Sequence, residues 1–220
     1  MIIRYLSEAE YTVSGLTIDN LSAQRFCIFD FEATGPDSGE DYITQIGAIL
    51  IEPDGTTSER AFTTVVRAPK RIPEAIERLT GITNAVMADS PAFSEVYGDF
   101  ADFAQGTVLV TQAGYEFDWP LLQRECRLNG LPPFTNPMID TKALFTYLYP
   151  EVEDIVSTNF LIRWFGIDDT DIKRHDALGD SVLIGRIFVA LMDEMRRRQR
   201  NGIQWLEPMS VKRMKLPPLL

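Results

Sequence analysis

The spacing of apolar and polar positions changes along the chain, and each change marks an element. Phe26-Cys27-Ile28-Phe29-Asp30-Phe31 is a short apolar and aromatic run closed by Thr34-Gly35-Pro36, which predicts a strand. Ile43 to Ile51 is a second such run, closed by the turn residues Pro53-Asp54-Gly55, and Arg60 to Val66 is a third. Three consecutive strands with tight connections predict an antiparallel meander. The period then lengthens. Pro73 to Leu79 fits a short helix with proline near its first turn. After Ser90-Pro91, the residues Phe93, Val96, Tyr97, Phe100 and Phe103 recur at helical spacing until Gly106. Val108 to Val110 reads as a buried strand, Pro120 to Leu128 as a helix stopped by Asn129-Gly130, and Met138-Ile139 as another strand. Asp140 is placed to cap a helix carrying Leu144, Phe145, Tyr147 and Leu148. Further helices span Ser157 to Phe165 and about His175 to about Arg198.

Strands first, then alternating helix and strand, predict an α/β domain with a mixed sheet flanked by helices. The chain has 220 residues, which fits one domain with extensions. Residues 1–24 lack a clear period and read as an N-terminal extension, 25–199 as the domain, and 200–220 as a C-terminal tail. No apolar run approaches a membrane span, and the N-terminus does not read as a secretory signal. The two cysteines, Cys27 and Cys126, form no metal-binding spacing, so a reduced, cytoplasmic chain is expected.

Charge complicates this picture. The net charge is −11, which disfavours a phosphate-binding protein. Bound cations would offset acidic ligands, however, and the charge is uneven. Residues 196–220 carry seven Lys/Arg against one acid, leaving −17 on the remainder. Such a basic tail is either a docking segment for nucleic acid or a protein partner, or a solvated helix end followed by a mobile tail. Trp205-Leu206 and Pro217-Pro218-Leu219-Leu220 are its apolar features.

Three groups of residues carry chemistry. Asp30 and Glu32 are two apart on a strand and so share a face. Paired carboxylates at the end of an apolar strand call for a partner such as a divalent cation, unless Glu32 already lies in the loop and Asp30 caps a turn. Asp118, in Tyr115-Glu116-Phe117-Asp118-Trp119, opens a helix and by itself reads as an N-cap. His175, the one histidine, precedes Asp180 by five residues. On one continuous helix the two would diverge by roughly 140°. They converge if His175 lies in the loop just before the helix and Asp180 in its first turns.

In combination and order these motifs resemble the DEDD-class 3′→5′ exonucleases of the histidine subtype, a group that includes DNA polymerase III epsilon-type proofreading exonucleases and ribonuclease T. Asp30-Phe31-Glu32-Ala33-Thr34-Gly35 is similar to the family's first motif, Phe117-Asp118 to its second, and His175-Asp176-Ala177-Leu178-Gly179-Asp180 to its third. Ile46-Gly47-Ala48, Leu79-Thr80-Gly81-Ile82-Thr83 and Ile139-Asp140-Thr141 also match, and the resemblance covers roughly residues 25–195. It implies a ribonuclease H-like fold and hydrolysis at the 3′ end of single-stranded DNA or RNA, releasing nucleoside monophosphates. It further implies two divalent cations, Mg²⁺ or Mn²⁺, held by Asp30, Glu32, Asp118 and Asp180, with His175 as general base. The backbone of Ala33, Thr34 and Gly35 is implied to close over the terminal 3′-hydroxyl. Tyr115 is a candidate to stack on a base, and Phe31 a weaker one that reads better as core.

The sequence departs from the family at two places. Ala113 and Gly114 stand where the family often has His-Asn, with Gln112 the nearest amide, which puts the terminal-nucleotide contacts in doubt. Ser157-Thr158-Asn159-Phe160-Leu161 departs from the usual Ser-Leu-x-x-Leu. Three other functions fit parts of the sequence. A catalytically weak binding module could dock partners through the tail, a metal-dependent phosphatase could act on small esters, and a Cys/His hydrolase would need Cys27 or Cys126 beside His175.

Overall fold

The computed structural model describes residues 1–213. Its centre is a five-stranded mixed sheet. The predicted meander is formed by β4 (Phe26–Ala33), β5 (Ile43–Ile51) and β6 (Thr57–Val65), and β4 pairs in parallel with β7 (Val108–Thr111), which pairs in parallel with β8 (Met138–Asp140). The strand order is β6-β5-β4-β7-β8. This is the expected ribonuclease H-like architecture, with helices on both faces.

Strand alternation on β4 decides what each face does. Phe29 and Phe31 point to α3 (Phe93–Phe103), where both rings lie against Phe100 at 6.2 and 6.0 Å between centroids. Phe26 and Ile28 point the other way, to α7 (Ala177–Arg197), with Phe26 stacked edge-on to Phe188 at 4.7 Å. Asp30 and Glu32 continue that second row, since residues two apart on a strand share a face. The apolar half of the row anchors the middle of α7. The acidic half lies beside its N-terminal end. Glu32 is within the strand and pairs with Gln45, so the alternative that placed it in a loop does not hold.

The remaining helices are α1 (Glu74–Thr80), α2 (Asn84–Ala88), α4 (Asp118–Leu128), α5 (Thr141–Leu148) and α6 (Thr158–Phe165). Asp140 caps α5 as expected, accepting from Lys142 N at 2.8 Å, and also from the amides of Ala113 and Tyr115 at 3.1 Å each. It thus ties the loop before α4 to the end of β8.

The chain ends depart from expectation. The N-terminal segment forms β1 (Ile2–Tyr5), β2 (Glu10–Ser14) and β3 (Leu16–Asp19), and the C-terminal segment forms β9 (Gly202–Trp205) and β10 (Met209–Lys212). β10 pairs with β2, and β9 with β3, both antiparallel. Residues 202–212 are therefore not a mobile tail, and Trp205, offered as a docking residue, is 2% exposed. Most of the segment's positive charge is engaged internally. Arg196 pairs with Asp193, Arg197 and Arg198 with Glu194, and Arg213 lies 3.7 Å from Glu116 and over the Tyr5 ring. Pro217-Pro218-Leu219-Leu220 fall outside the described residues. Among the described residues, no helix is long and apolar enough to cross a membrane.

Candidate active site

α7 begins two residues later than the sequence suggests. Asp176 is its N-cap, accepting from Gly179 N at 3.1 Å. His175 lies in the loop before it, exposed and in the left-handed region at φ 58°, a conformation uncommon outside glycine, asparagine and similar residues. That turn lets His175 and Asp180 converge, as the spacing required. The His175 backbone amide donates to Asp180 Oδ2 at 2.7 Å. Ligand atoms of Glu32, His175 and Asp180 lie within 4.8 Å of one another.

Two interactions dock this end of α7 onto β5, and the sequence reading gave neither a role. Gln45, the register partner of Glu32, accepts from Ala177 N at 3.1 Å. Gly47, the partner of Asp30, lets the first turn of α7 reach the strand, because a Cβ there would lie 2.1 Å from the Ala177 carbonyl carbon. Ser181 donates to the Gly47 carbonyl at 2.9 Å. A glutamine and a glycine inside the otherwise apolar Ile43–Ile51 strand were the available signal. Gly47→Ala is expected to destabilise the protein by about 1–3 kcal/mol through overpacking. A shift of His175 and Asp180 on the order of 1 Å would also cost about 100-fold in activity. Urea melts and a turnover assay on the same preparation check both.

Asp118 arrives from the other side. Phe117, not Asp118, holds the N-cap position of α4 and makes no side-chain cap bond. The Asp118 carboxylate instead accepts from Thr111 Oγ1, at the end of β7, at 3.0 Å. It is 4% exposed, so the capping reading gives way to a buried carboxylate aimed at the sheet end.

Asp30, Glu32, Asp118 and Asp180 lie close enough to act on one another electrostatically. Burial pushes the Asp30 carboxyl well above the usual range, and the charges of Asp118, Glu32 and Asp180 push it further. Glu32 is raised to about 8, first by burial and then by Asp180 and Asp118. Asp118 is raised to about 7, chiefly by burial. Carboxylates crowded this way need positive charge, and oxygen-only donors of this kind suit hard divalent cations such as Mg²⁺ and Mn²⁺. The donor set therefore fits such ions.

A pH dependence follows. Folded-state values above the unfolded ones, 4.5 for Glu32 and 3.8 for Asp118, mean that the folded protein binds more protons between about pH 4 and 8. In EDTA, stability is thus expected to fall as pH rises through that window, and Mn²⁺ is expected to flatten the slope. Thermal melts at pH 5 to 8 with and without the ion test this, and a Tm in EDTA that climbs with pH would contradict it.

Several candidates do not reach the centre. Tyr115 is fully buried, its hydroxyl donates to Met138 O at 2.6 Å, and its ring packs edge-on against Tyr11. It cannot stack on a base. Phe31 is core, as the alternative had it. Gln112 donates to Val156 O at 3.3 Å and accepts from Thr141 Oγ1, so its amide is spent inside the fold. At Gly114 a Cβ would lie 1.9 Å from Thr111 Cγ2, and Ala113 has φ 55°. The Thr111 and Met138 side chains leave no room for an asparagine at 114 without repacking, which gives the departure from His-Asn a steric basis. Ala33, Thr34 and Gly35 are buried at the end of β4. The Thr34 hydroxyl donates to Asp41 Oδ1 at 2.8 Å, and Asp41 also accepts from Asp37 N and Lys70 Nζ. These bonds fold the loop back against Gly35.

Both cysteines are buried, which disfavours the Cys/His alternative. Cys27 alternates onto the α3 face with Phe29, away from His175, and burial pushes its thiol up to about 12. Cys126, within α4, is likewise raised to about 11, mainly by burial.

A ribonuclease H-like sheet with four clustered carboxylates and a histidine beside them defines a nuclease domain. The RNase_T family, described as exonuclease, matches residues 27–188, and the chain belongs to that family. It is 35% identical over 186 residues to a DNA polymerase III subunit epsilon-like protein of Rhodobacter capsulatus, covering 84% of this chain but only 26% of that one. It is 30% identical to the DNA polymerase III subunit epsilon of Aquifex aeolicus, over 80% of this chain and 85% of the relative. The chain thus spans about a quarter of the Rhodobacter relative and most of the Aquifex one. Among solved structures, the nuclease domain of 3′hExo, a DEDDh family member bound to rAMP, superposes with a TM-score of 0.68 at 24% identity, covering 78% of this chain and 93% of that chain.

Proposed function

We propose that this exonuclease shortens single-stranded DNA or RNA from the 3′ end, releasing nucleoside monophosphates, with His175 as general base and two divalent cations held by Asp30, Glu32, Asp118 and Asp180. The observation that carries this reading is that Glu32, His175 and Asp180 come within 4.8 Å of one another while the charges of Asp118, Glu32 and Asp180 all act on buried Asp30. Bound there, Mg²⁺ or Mn²⁺ would supply the positive charge that stabilises the attacking and leaving oxygens of in-line displacement.

The chain's own residues do the rest. His175 is exposed at the mouth of the centre, where an attacking water can reach its imidazole and lose a proton to it. Asp180 fixes the His175 backbone through its amide, which leaves the ring free to face substrate. The backbone of Ala33, Thr34 and Gly35 directly follows Glu32 at the end of β4 and, though buried, would face the terminal nucleotide if the loop opens. Residues 25–199 constitute the catalytic domain, with the paired terminal strands as its brace. The epsilon relatives favour a DNA substrate and a polymerase-associated setting, and the rAMP bound to 3′hExo keeps RNA in the comparison.

The test is hydrolysis of 5′-labelled single-stranded DNA and RNA of one sequence, with Mg²⁺, Mn²⁺ or EDTA. A metal-dependent ladder shortening from the 3′ end supports the proposal, and the faster strand names the substrate class. No cleavage of either strand, together with retained strand binding, would favour a binding module of the same fold. Cleavage confined to a mononucleotide ester would favour the phosphatase reading.

A further inference from the structure

Asp180 is held by two partners, and only one of them belongs to the family's motif. Its Oδ2 accepts from the His175 amide at 2.7 Å, while its Oδ1 accepts from Arg174 Nε at 2.8 Å. Arg174 is two-thirds buried, and its Nη1 donates to Asn159 Oδ1 on α6 at 3.2 Å. Asn159 falls in the segment that departs from the family pattern. The Arg174 charge also reaches Asp30, where it opposes the repulsion of the three neighbouring acids. A fixed guanidinium thus sits on the oxygen of a carboxylate that the proposed function assigns to a cation. Two positive groups cannot share one carboxylate oxygen without repulsion.

We propose that Arg174, tethered by Asn159, is an internal counter-cation of the carboxylate centre that competes with the divalent ion for Asp180 and is displaced when the ion binds. This rests on the reading of Asp180 as a metal ligand. It gives the protein a way to hold four acids together before loading, at the expense of metal affinity. Lys173, the preceding residue, is no substitute, because its largely exposed ammonium lies 3.7 Å from Asp176 and acts on Glu32 only as a distant charge, without a bond to a carboxylate of the centre.

The experiment is calorimetric titration of Mn²⁺ into the full chain, with thermal melts in EDTA alongside. With the charge-assisted bond to Asp180 removed, Arg174→Gln is expected to bind Mn²⁺ about tenfold more tightly, a change of about 1.4 kcal/mol. The same variant should melt lower than wild type in EDTA and recover with Mn²⁺. Asn159→Ala, which keeps the charge but loosens the tether, should tighten binding by a smaller factor, and it serves if Arg174→Gln fails to fold. Lys173→Gln removes a charge that reaches Glu32 only through space and should tighten binding clearly less than Arg174→Gln. Unchanged or weaker Mn²⁺ binding in both Arg174→Gln and Asn159→Ala would overturn the competition while leaving the metal site intact. Equal tightening in Lys173→Gln and Arg174→Gln would reduce it to a general field effect and equally overturn it. No Mn²⁺ binding in any protein would sink the reading of the site itself.

Discussion

Replacing His175 with alanine is expected to slow 3′-end hydrolysis by about 100- to 10,000-fold, the usual contribution of a positioned general base. The fold and the carboxylate centre should survive the change. The His175 ring is exposed, and the contact that holds this turn runs through the backbone amide to Asp180, which alanine retains. The left-handed φ of 58° makes the substitution mildly destabilising, because alanine visits that region less readily than histidine. Mn²⁺ affinity by calorimetry separates the two roles open to this side chain. A large loss of rate with little change in affinity identifies a base. A parallel loss of both would make His175 a ligand, which its proximity to Glu32 and Asp180 permits.

Asp30→Asn should act in the opposite sense on rate and stability. Loss of one acid from a centre whose cations contribute several kcal/mol of transition-state stabilisation is expected to cost about 1,000-fold or more in rate. At pH values high enough to ionise Asp30, the same change removes a buried charge that burial and three other carboxylates disfavour. Tm in EDTA should therefore rise, by about 2–4 °C for each kcal/mol of repulsion relieved in a chain of this size. Added Mn²⁺ should stabilise wild type more than the variant. A variant that is inactive and also less stable in EDTA would show that Asp30 has a structural bond outweighing the repulsion. Opposite movement of rate and stability is the mark of residues placed for chemistry against the interest of the fold.

Much of the catalytic arrangement was legible because it follows local rules. Asp30 and Glu32 share a face because strands alternate, and they lie on the α7 face because Phe29 and Phe31 take the other one. His175 had to lie outside the helix if it was to meet Asp180, and the structure begins α7 at Ala177. Asp140 caps α5 as its position before Thr141 indicated. The meander, the two parallel strands and most helices came from period and turn residues alone, with boundaries displaced by a few residues, as for β6, which starts at Thr57.

Other features depended on contacts between distant residues. Strands β2 and β10 alternate polar and apolar positions but are only four or five residues long, and they pair with each other across roughly 200 residues of chain. No local period records that. Tyr115 reads as a surface aromatic beside a motif, yet the terminal strands bring Tyr11 against it and bury it. Gln112 reads as a free amide until Thr141 and Val156 close around it. Gln45 and Gly47 look like interruptions of an apolar strand until α7 packs against them. The sequence by itself determined which side chains are candidates for the chemistry, because residue type and local period limit where a carboxylate or an imidazole can point. Only the tertiary structure decided what supports and opposes them, Arg174 on Asp180 above all, because those partners are chosen by which elements pack together and not by neighbours in the chain.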